Sequence, residues 1–364
     1  MKHSTLLAGC LISLSAFPVL AESPKPAIEG PPGAGAPPAS VITQINLGNA
    51  GLLAPFYSDL EYGTVLQRVG QSRSRVNTIN NGPRGTPTTG YENSSFTVAL
   101  PWIFRAPIDE TSNFTVKLVG VTANEGTNRI SEDAQFGFAA VGYEWFYSPT
   151  GMFAVELGYR GTEIDRTTGA FDLRRNNLDF KLSFAQQITD EWGAVGRVVY
   201  SPGKTKTDIG TPFGIAHAKM SDYYVYNHFD LIGNYSLSFL PDDWKFHPQL
   251  GLTYLTSWSD ETTNSLGGRI LAAEDRYGSV QAIANFEKQV RPGSFSPVLA
   301  LGVEHVFKDD LAAYSNEKTY GIVQVGLGYL DASGFATYVG IHHREGFAGQ
   351  RSSTELTIAG NIRF

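Results

Sequence analysis

The most constraining feature of this chain is a run at its end that alternates residue by residue. Leu356, Ile358, Gly360, Ile362 and Phe364 are apolar or small, while the interleaved Glu355, Thr357, Ala359, Asn361 and Arg363 are largely polar. A period of two sets one face against an apolar medium and the other against a polar one, as in a β-strand and not in a helix. The pattern recurs upstream. Phe153, Val155, Leu157 and Tyr159 oppose Ala154, Glu156, Gly158 and Arg160. Leu178, Phe180, Leu182 and Phe184 oppose Asp179, Lys181 and Ser183; Leu231, Gly233, Tyr235, Leu237 and Phe239 oppose Asp230, Asn234, Ser236 and Ser238. A soluble β-sandwich also alternates, but here strands of ten or more residues set charges opposite rows of large apolar side chains.

Composition excludes a helical membrane protein. Mean hydropathy is −0.15, and beyond residue 21 there is no 18-residue apolar window of the kind a membrane helix needs. Aromatics make up 12% of the chain and glycine occurs 39 times, as suits strands that show one face to lipid and the other to water. The net charge of −7 argues against nucleic acid as a partner, because phosphate binding calls for a basic surface.

The start of the chain reads as an export signal. Lys2 supplies a positive end, residues 5–20 an apolar stretch, and Val19-Leu20-Ala21 a small-residue cleavage site, so a signal peptide is expected over 1–21. That cut would remove Cys10, the only cysteine, and with it any disulfide or thiolate metal site. Residues 22–40 carry Pro24, Pro26, Pro31, Pro32, Pro37 and Pro38 and read as an extended periplasmic leader. Residues 41–58 read as a periplasmic cap, a lumen plug or a pre-strand.

A strand that ends on a C-terminal aromatic, in a chain with an export signal, resembles the closing strand of Gram-negative outer-membrane β-barrels. The resemblance implies that Phe364 is the signal read by the barrel-assembly machinery. The stretch from Tyr320 to Phe364 also resembles, loosely, the end of an autotransporter translocator barrel. The match lies in a strand, the short turn Asp331-Ala332-Ser333-Gly334, a strand, the short loop Gly346-Phe347-Ala348-Gly349-Gln350, and the closing Asn361-Ile362-Arg363-Phe364. There is no long repetitive passenger upstream.

The expected architecture is an all-β, antiparallel, up-and-down transmembrane barrel over 59–364. Fourteen strands fit best, with twelve as the alternative. The expected strands centre on 59–67, 91–100, 111–122, 134–147, 151–161, 174–188, 191–201, 224–240, 243–257, 276–290, 294–307, 319–331, 334–345 and 353–364. Turns such as 148–150, 189–191 and 241–243 are short. The links between them, such as 123–133, 162–173, 202–223 and 258–275, are long, as between periplasmic turns and external loops. The link at 101–110 is longer than the other turns. With both ends periplasmic, the count should be even.

Asp190-Glu191-Trp192 and Asp242-Asp243-Trp244 repeat one device, an acidic turn followed by an indole at the membrane boundary. A girdle is expected from Trp145, Trp192, Trp244 and Tyr329, with Trp102 nearby, and a second from Trp258, Tyr159, Tyr200 and Tyr277 at the external ends. The polar rows put Glu156, Arg160, Asp179, Lys181, Arg197, Asp230, His247, Glu304, Glu355 and Arg363 in the lumen, where opposite charges can pair across strands or filter solutes by charge. Tyr223, Tyr224, Tyr226 and His228 cluster where an external loop re-enters the wall. Lys204 and Lys206, and Arg73, Arg75 and Arg84, suit the phosphates of lipopolysaccharide.

The functional expectation is a channel or uptake protein passing small solutes through a polar lumen. One alternative is a plugged barrel acting as a surface receptor or adhesin. Another is an outer-membrane lipid hydrolase, for which His305 and His343 on the lipid-facing phase would be the bases; no Gly-x-Ser-x-Gly or His-Glu-x-x-His pattern accompanies them. No metal and no cofactor are expected. The partners expected are outer-membrane lipid and lipopolysaccharide, the assembly machinery and small solutes, with the protein a monomer.

Overall fold

The computed structural model describes residues 43–44, 46–47, 50–52, 93–126, 131–166, 171–289, 293–310, 317–330, 335–349 and 351–363. The expected signal peptide, the leader, the strand at 59–67, the arginines at 73, 75 and 84, the side chain of Arg363 and the whole of Phe364 lie outside the described residues.

Thirteen strands close into one barrel. They are β1 (Asn93–Asp109), β2 (Ser112–Gly126), β3 (Ser131–Ser148), β4 (Gly151–Arg166), β5 (Phe171–Gln187), β6 (Trp192–Thr211), β7 (Gly214–Gly233), β8 (Trp244–Ser259), β11 (Ala273–Lys288), β12 (Ser294–Asp309), β13 (Thr319–Leu330), β14 (Ala336–Gly346) and β15 (Arg351–Arg363). A two-stranded ribbon, β9 (Thr262–Thr263) with β10 (Arg269–Ile270), lies between β8 and β11. Each strand pairs antiparallel with its neighbour in sequence, except at the seam. There β1 and β15 run parallel, from Asn93 opposite Arg351 to Arg105 opposite Arg363. Thirteen strands among the described residues are close to the fourteen expected, and the odd count is what makes the seam parallel. Trp102 is not in a girdle: it lies mid-strand at this seam, opposite Gly360, and its ring occupies the space where a side chain at 360 would stand.

Three further expectations are corrected. The link at 101–110 is wall: β1 runs straight through Pro101 and Pro107, paired with β2, with a register shift only between Pro107 and Asp109. A strand proline forfeits one donor, and the rest of the ladder carries the pairing. The expected loop at 202–223 is a long hairpin in which β6 and β7 stay paired to Thr211 opposite Gly214. Beyond the membrane such a strand meets water on its outer face, so Lys204, Lys206 and Asp208 alternate with threonines and no apolar row marks it. Finally, β7 stops at Gly233. Tyr235 keeps one isolated bridge to Phe246, and Phe239 is exposed beyond the wall.

The two faces separate as the alternation requires. Leu178, Phe180, Leu182 and Phe184 are exposed on the outside, and Asp179, Lys181 and Ser183 are buried inside. Val155, Leu157 and Tyr159, and Val323, Val325 and Leu327, extend the apolar belt around the barrel. Such a belt on a closed wall has one compatible surrounding, lipid. At one end lie the short turns and, on the outer face, Trp145 against Tyr147 (5.8 Å) and Trp192 against Tyr235 (6.0 Å). Trp244 begins β8 at this end, and Tyr329 packs on Phe295 at 5.1 Å. At the other end Phe180, Tyr200, Tyr223 and Trp258 form a continuous aromatic chain, with Tyr223 stacked on Trp258 at 5.0 Å. β8 is 16 residues long with an indole near each end. At a tilt of roughly 40° it rises about 40 Å, close to the thickness of a bilayer with its headgroups. Among the described residues no helix is long and apolar enough to cross a membrane.

Candidate functional site: the charged lumen

An eight-stranded barrel is filled by its own side chains; thirteen strands enclose more room than a single layer of side chains can fill. Much of the lumen face is nevertheless buried, down to small side chains such as Thr97, Ala99 and Ala123.

At the turn end, the packing comes from the segment before the wall. Thr43, Gln44, Asn46 and Leu47 are helical. Leu47, Ala50 and Leu52 pack against the inward faces of Phe146, Met152, Ala185, Val195 and Ile232. The Thr43 hydroxyl donates to the Ser148 carbonyl (2.8 Å), and the Asn46 amide donates to the Pro149 carbonyl (2.7 Å). Leu52 lies over Gly193, which lacks the side chain that would exclude it. Gly51 is in the left-handed region, with φ 72°, and sits so close to the His247 imidazole that a Cβ there would lie 2.7 Å from Nδ1. His247 itself donates to the Gly233 carbonyl at 3.0 Å. It faces inward, but it belongs to this contact and not to the charged band above.

That band occupies the middle of the barrel. Arg160 and Asp179 form a buried ion pair across β4 and β5. Asn177 donates to Asp179 (2.5 Å) and to the Ser201 hydroxyl (2.8 Å). Arg175 pairs with Asp222 at 2.6 Å and donates to the Ser201 carbonyl at 3.2 Å, and Thr205 also bonds Asp222. The guanidinium of Arg160 lies over Phe136 and Phe138, at 5.7 and 5.6 Å; that of Arg175 lies over Tyr224 at 5.2 Å. Further round, His228 stands between the Thr253 hydroxyl (2.8 Å) and the Asp230 carboxylate (2.7 Å), and Gln249 donates to the other Asp230 oxygen (2.8 Å). Glu304 accepts from Tyr277 (2.7 Å) and forms an ion pair with Arg344 (2.9 Å). Near the seam Glu144 takes Arg105 at 3.3 Å and Asn113 at 3.1 Å. Charges taken this far from water persist only when paired.

The structure thus places Arg160, Asp179, Lys181, Arg197, Asp230, His247, Glu304 and Glu355 inside and buried, with Glu156 half-buried opposite Lys181. Arg363 is placed by its backbone alone, opposite Arg105. Sequence reasoning passed over Arg105, Glu144, Arg175, Asp222 and Arg344. Arg105 and Asp222 fall in the expected turn and loop; Glu144, Arg175 and Arg344 lie within expected strands, where the alternation read at Asp179 would have found them. The Tyr223 to His228 cluster divides: Tyr223 faces outward in the girdle, whereas Tyr224, Tyr226 and His228 face the lumen. Tyr277, expected in the outer girdle, also points inward.

The two histidines of the hydrolase alternative lie on the outer wall. His305 contacts Thr319 at 3.0 Å. His343 lies between Thr354 (2.9 Å) and Glu345 (3.4 Å). Thr354 is in β15, whose backbone pairs with β14 on one side and β1 on the other. Its neighbouring amides are committed to the ladder and do not form a preorganised oxyanion site. Among the described residues no cluster of three or more His, Cys, Asp or Glu could hold a metal ion.

No protein-family description matches the sequence, and no curated protein matches it. In fold the chain is similar to the translocator domain of autotransporter NalP from Neisseria meningitidis, at 12% identity and a TM-score of 0.49, covering 77% of this chain and 91% of that one. It is similar to the β domain of the Bordetella autotransporter Brka, at 12% identity and a TM-score of 0.48, covering 69% and 95%. A Pseudomonas aeruginosa FadL homologue aligns at 9% identity and a TM-score of 0.40, over 66% and 68%. These likenesses are distant and are of fold alone.

Proposed function

We propose that the protein is an outer-membrane passage for small solutes, held shut at its turn end by the segment that carries Leu47, Gly51 and Leu52. One observation carries the reading: a band of paired inward charges, sealed from lipid by the apolar belt, lies above a turn end occupied by Leu47, Gly51 and Leu52. A barrel whose interior served only as a core would be stabilised as well by apolar side chains as by paired charges. A polar lumen is needed where solutes travel. The test is single-channel recording in planar bilayers under a salt gradient, comparing the wild type with a variant lacking residues 43–52. The wild type should rest closed with rare openings, and the variant should conduct steadily with a measurable reversal potential. A folded, heat-modifiable variant that never conducts would overturn the reading.

A surface receptor is the second reading. It is favoured by the β6–β7 hairpin, which carries Phe213 89% exposed and Ile215 59% exposed at its tip. Unoccupied apolar tips beyond the membrane are contact points for other molecules.

A further inference from the structure

The outer face of β5–β7, just above the aromatic chain, carries four cations. Arg174 is opposite Lys206 and Lys206 is opposite Lys219. Lys204, one step nearer the membrane on the same face, is opposite Asn176 and Ser221. All four point outward and are exposed. Only Arg174 has an anion in contact, Glu163 at 2.7 Å. The ammonium groups of the three lysines make no ion pair or hydrogen bond among the described residues. Like charges directly opposite on antiparallel strands destabilise the sheet, so Lys206 facing Lys219 is an arrangement that an external anion would relieve. Asp165, Asp172 and Asp208 lie one row farther from the membrane, and Asp208 is already held by His217 at 2.7 Å.

Beside the cations the wall is hollowed. An open cavity of about 680 Å³ runs along the outer face from Leu100 to Asn176 and Arg174. Its floor is Gly120, Gly137 and Gly161, which are register partners in turn. Its upper edge is polar, made by Thr122, Gln135 and Glu163. Packing does not require these glycines. A Cβ built on Gly120 or Gly137 meets nothing within 4 Å, and neither has a positive φ. The groove crosses from β1 to β5, about 19 Å at ordinary strand spacing, and one end opens onto Lys204.

Height selects the occupant. Lys204 lies four residues beyond Tyr200 on β6, and Lys219 four residues before Tyr223 on β7. At the usual rise and tilt this is about 10 Å above the aromatic chain, higher than the phosphate of an ordinary phospholipid and level with a bulkier head. We infer that this face binds a phosphorylated glycolipid of the outward-facing leaflet. Its phosphate sits on Lys204, Lys206 and Lys219, and its uncharged sugar body lies in the groove over Gly120, Gly137 and Gly161. Ammonium–phosphate contacts are charge-assisted and strong for their size.

The full chain in neutral detergent would be titrated with a bis-phosphorylated, acylated disaccharide glycolipid, with its dephosphorylated form, and with inorganic phosphate, and binding followed by native mass spectrometry. The wild type should prefer the phosphorylated glycolipid over the dephosphorylated one by about tenfold or more. Inorganic phosphate alone should not compete at equal concentration. K206Q/K219Q should lose the preference yet unfold at a higher temperature than wild type without lipid, because a repulsion has been removed. Gly137→Leu, whose side chain enters open space, should weaken binding of both glycolipids and leave lipid-free stability unchanged. A wild type with no preference, a K206Q/K219Q variant that keeps it, or inorganic phosphate competing as well as the glycolipid would each overturn the assignment.

Discussion

Replacing Gly51 should unseat the segment packed inside the turn end, and two costs add. Gly51 holds φ 72°, and a residue with a side chain in that region costs roughly 1–2 kcal/mol. The added Cβ would lie 2.7 Å from Nδ1 and 2.8 Å from Cγ of His247, well inside van der Waals contact. Overpacking of that kind costs typically about 1–3 kcal/mol. Together, Gly51→Ala shifts the seated-to-unseated ratio by about 2–5 kcal/mol, or roughly 30-fold to several thousand-fold. The assay is open probability in planar bilayers, with protease cleavage near residue 50 as a reading independent of conduction. The partner substitution separates the two costs. His247→Ala removes the colliding ring, so Gly51→Ala/His247→Ala should recover the overpacking part and keep the backbone part. If Gly51→Ala changes neither conduction nor cleavage, the segment is not held as argued. If the double variant is no better seated than Gly51→Ala, the clash is not the cause.

The remaining predictions bear on the wall and the external ribbon. Arg160→Met strands the Asp179 charge and should cost about 3–5 kcal/mol in denaturant unfolding from micelles, whereas Arg160→Met/Asp179→Leu should recover most of it. Leu182→Arg puts a cation on the lipid face and should cost about 2–4 kcal/mol on folding into vesicles; a cost no greater than that of Leu182→Gln would contradict the face assignment. Glu261 is paired with Arg269 at 2.6 Å. The hydrogen bond from Arg269 holds its carboxyl below the ordinary value of 4.5. The pair therefore holds the β9–β10 ribbon fully above that value and is lost as pH falls through the lowered one. Amide exchange in residues 260–272 should be flat with pH above 4.5, once corrected for intrinsic rates, and should accelerate in more acid solution. Glu261→Gln should remove the pH dependence.

How much was legible depended on what each strand faces. Where β5 meets lipid, Leu178, Phe180, Leu182 and Phe184 announce the strand, and with it the inward placement of Asp179 and Lys181. The same strand continues to Phe171, but there its outer residues are Asp172, Arg174 and Asn176. Little hydropathy contrast survives there, so Arg175, at the edge of the expected strand, was not taken as a lumen charge although it completes the Asp222 contact. β6 and β7 were cut short for the same reason, and β1 was ended at residue 100 because its prolines outweighed its pairing. The seam was out of reach for a different cause. Whether β15 pairs with an antiparallel or a parallel neighbour depends on which strand arrives beside it, and the alternation of Leu356 and Ile358 is the same in both cases. Likewise, residues 41–58 carried an apolar pattern that fits a cap, a plug or a strand. The company that Leu47, Ala50 and Leu52 keep, with Met152, Val195 and Ile232, is not written in that pattern.

The pairing of the lumen charges bears on how such a passage could discriminate. Arg160, Arg175 and Arg344 each have a carboxylate in contact, at Asp179, Asp222 and Glu304. A solute ion that displaces one partner must leave the other buried and uncompensated, which is costly. A filter made of paired charges is therefore weakly selective for the sign of a solute while the pairs stay closed. It favours solutes with their own donors and acceptors, which can exchange with the side chains bond for bond. On this argument neutralising both members of one pair, as in Arg160→Met/Asp179→Leu, should leave the sign of the reversal potential unchanged, while removing Asp179 alone, as in Asp179→Asn, should shift it toward anions. Equal shifts from the two variants would mean that Arg160 and Asp179 meet the solute as separate charges, and that the pair does not persist in the conducting state.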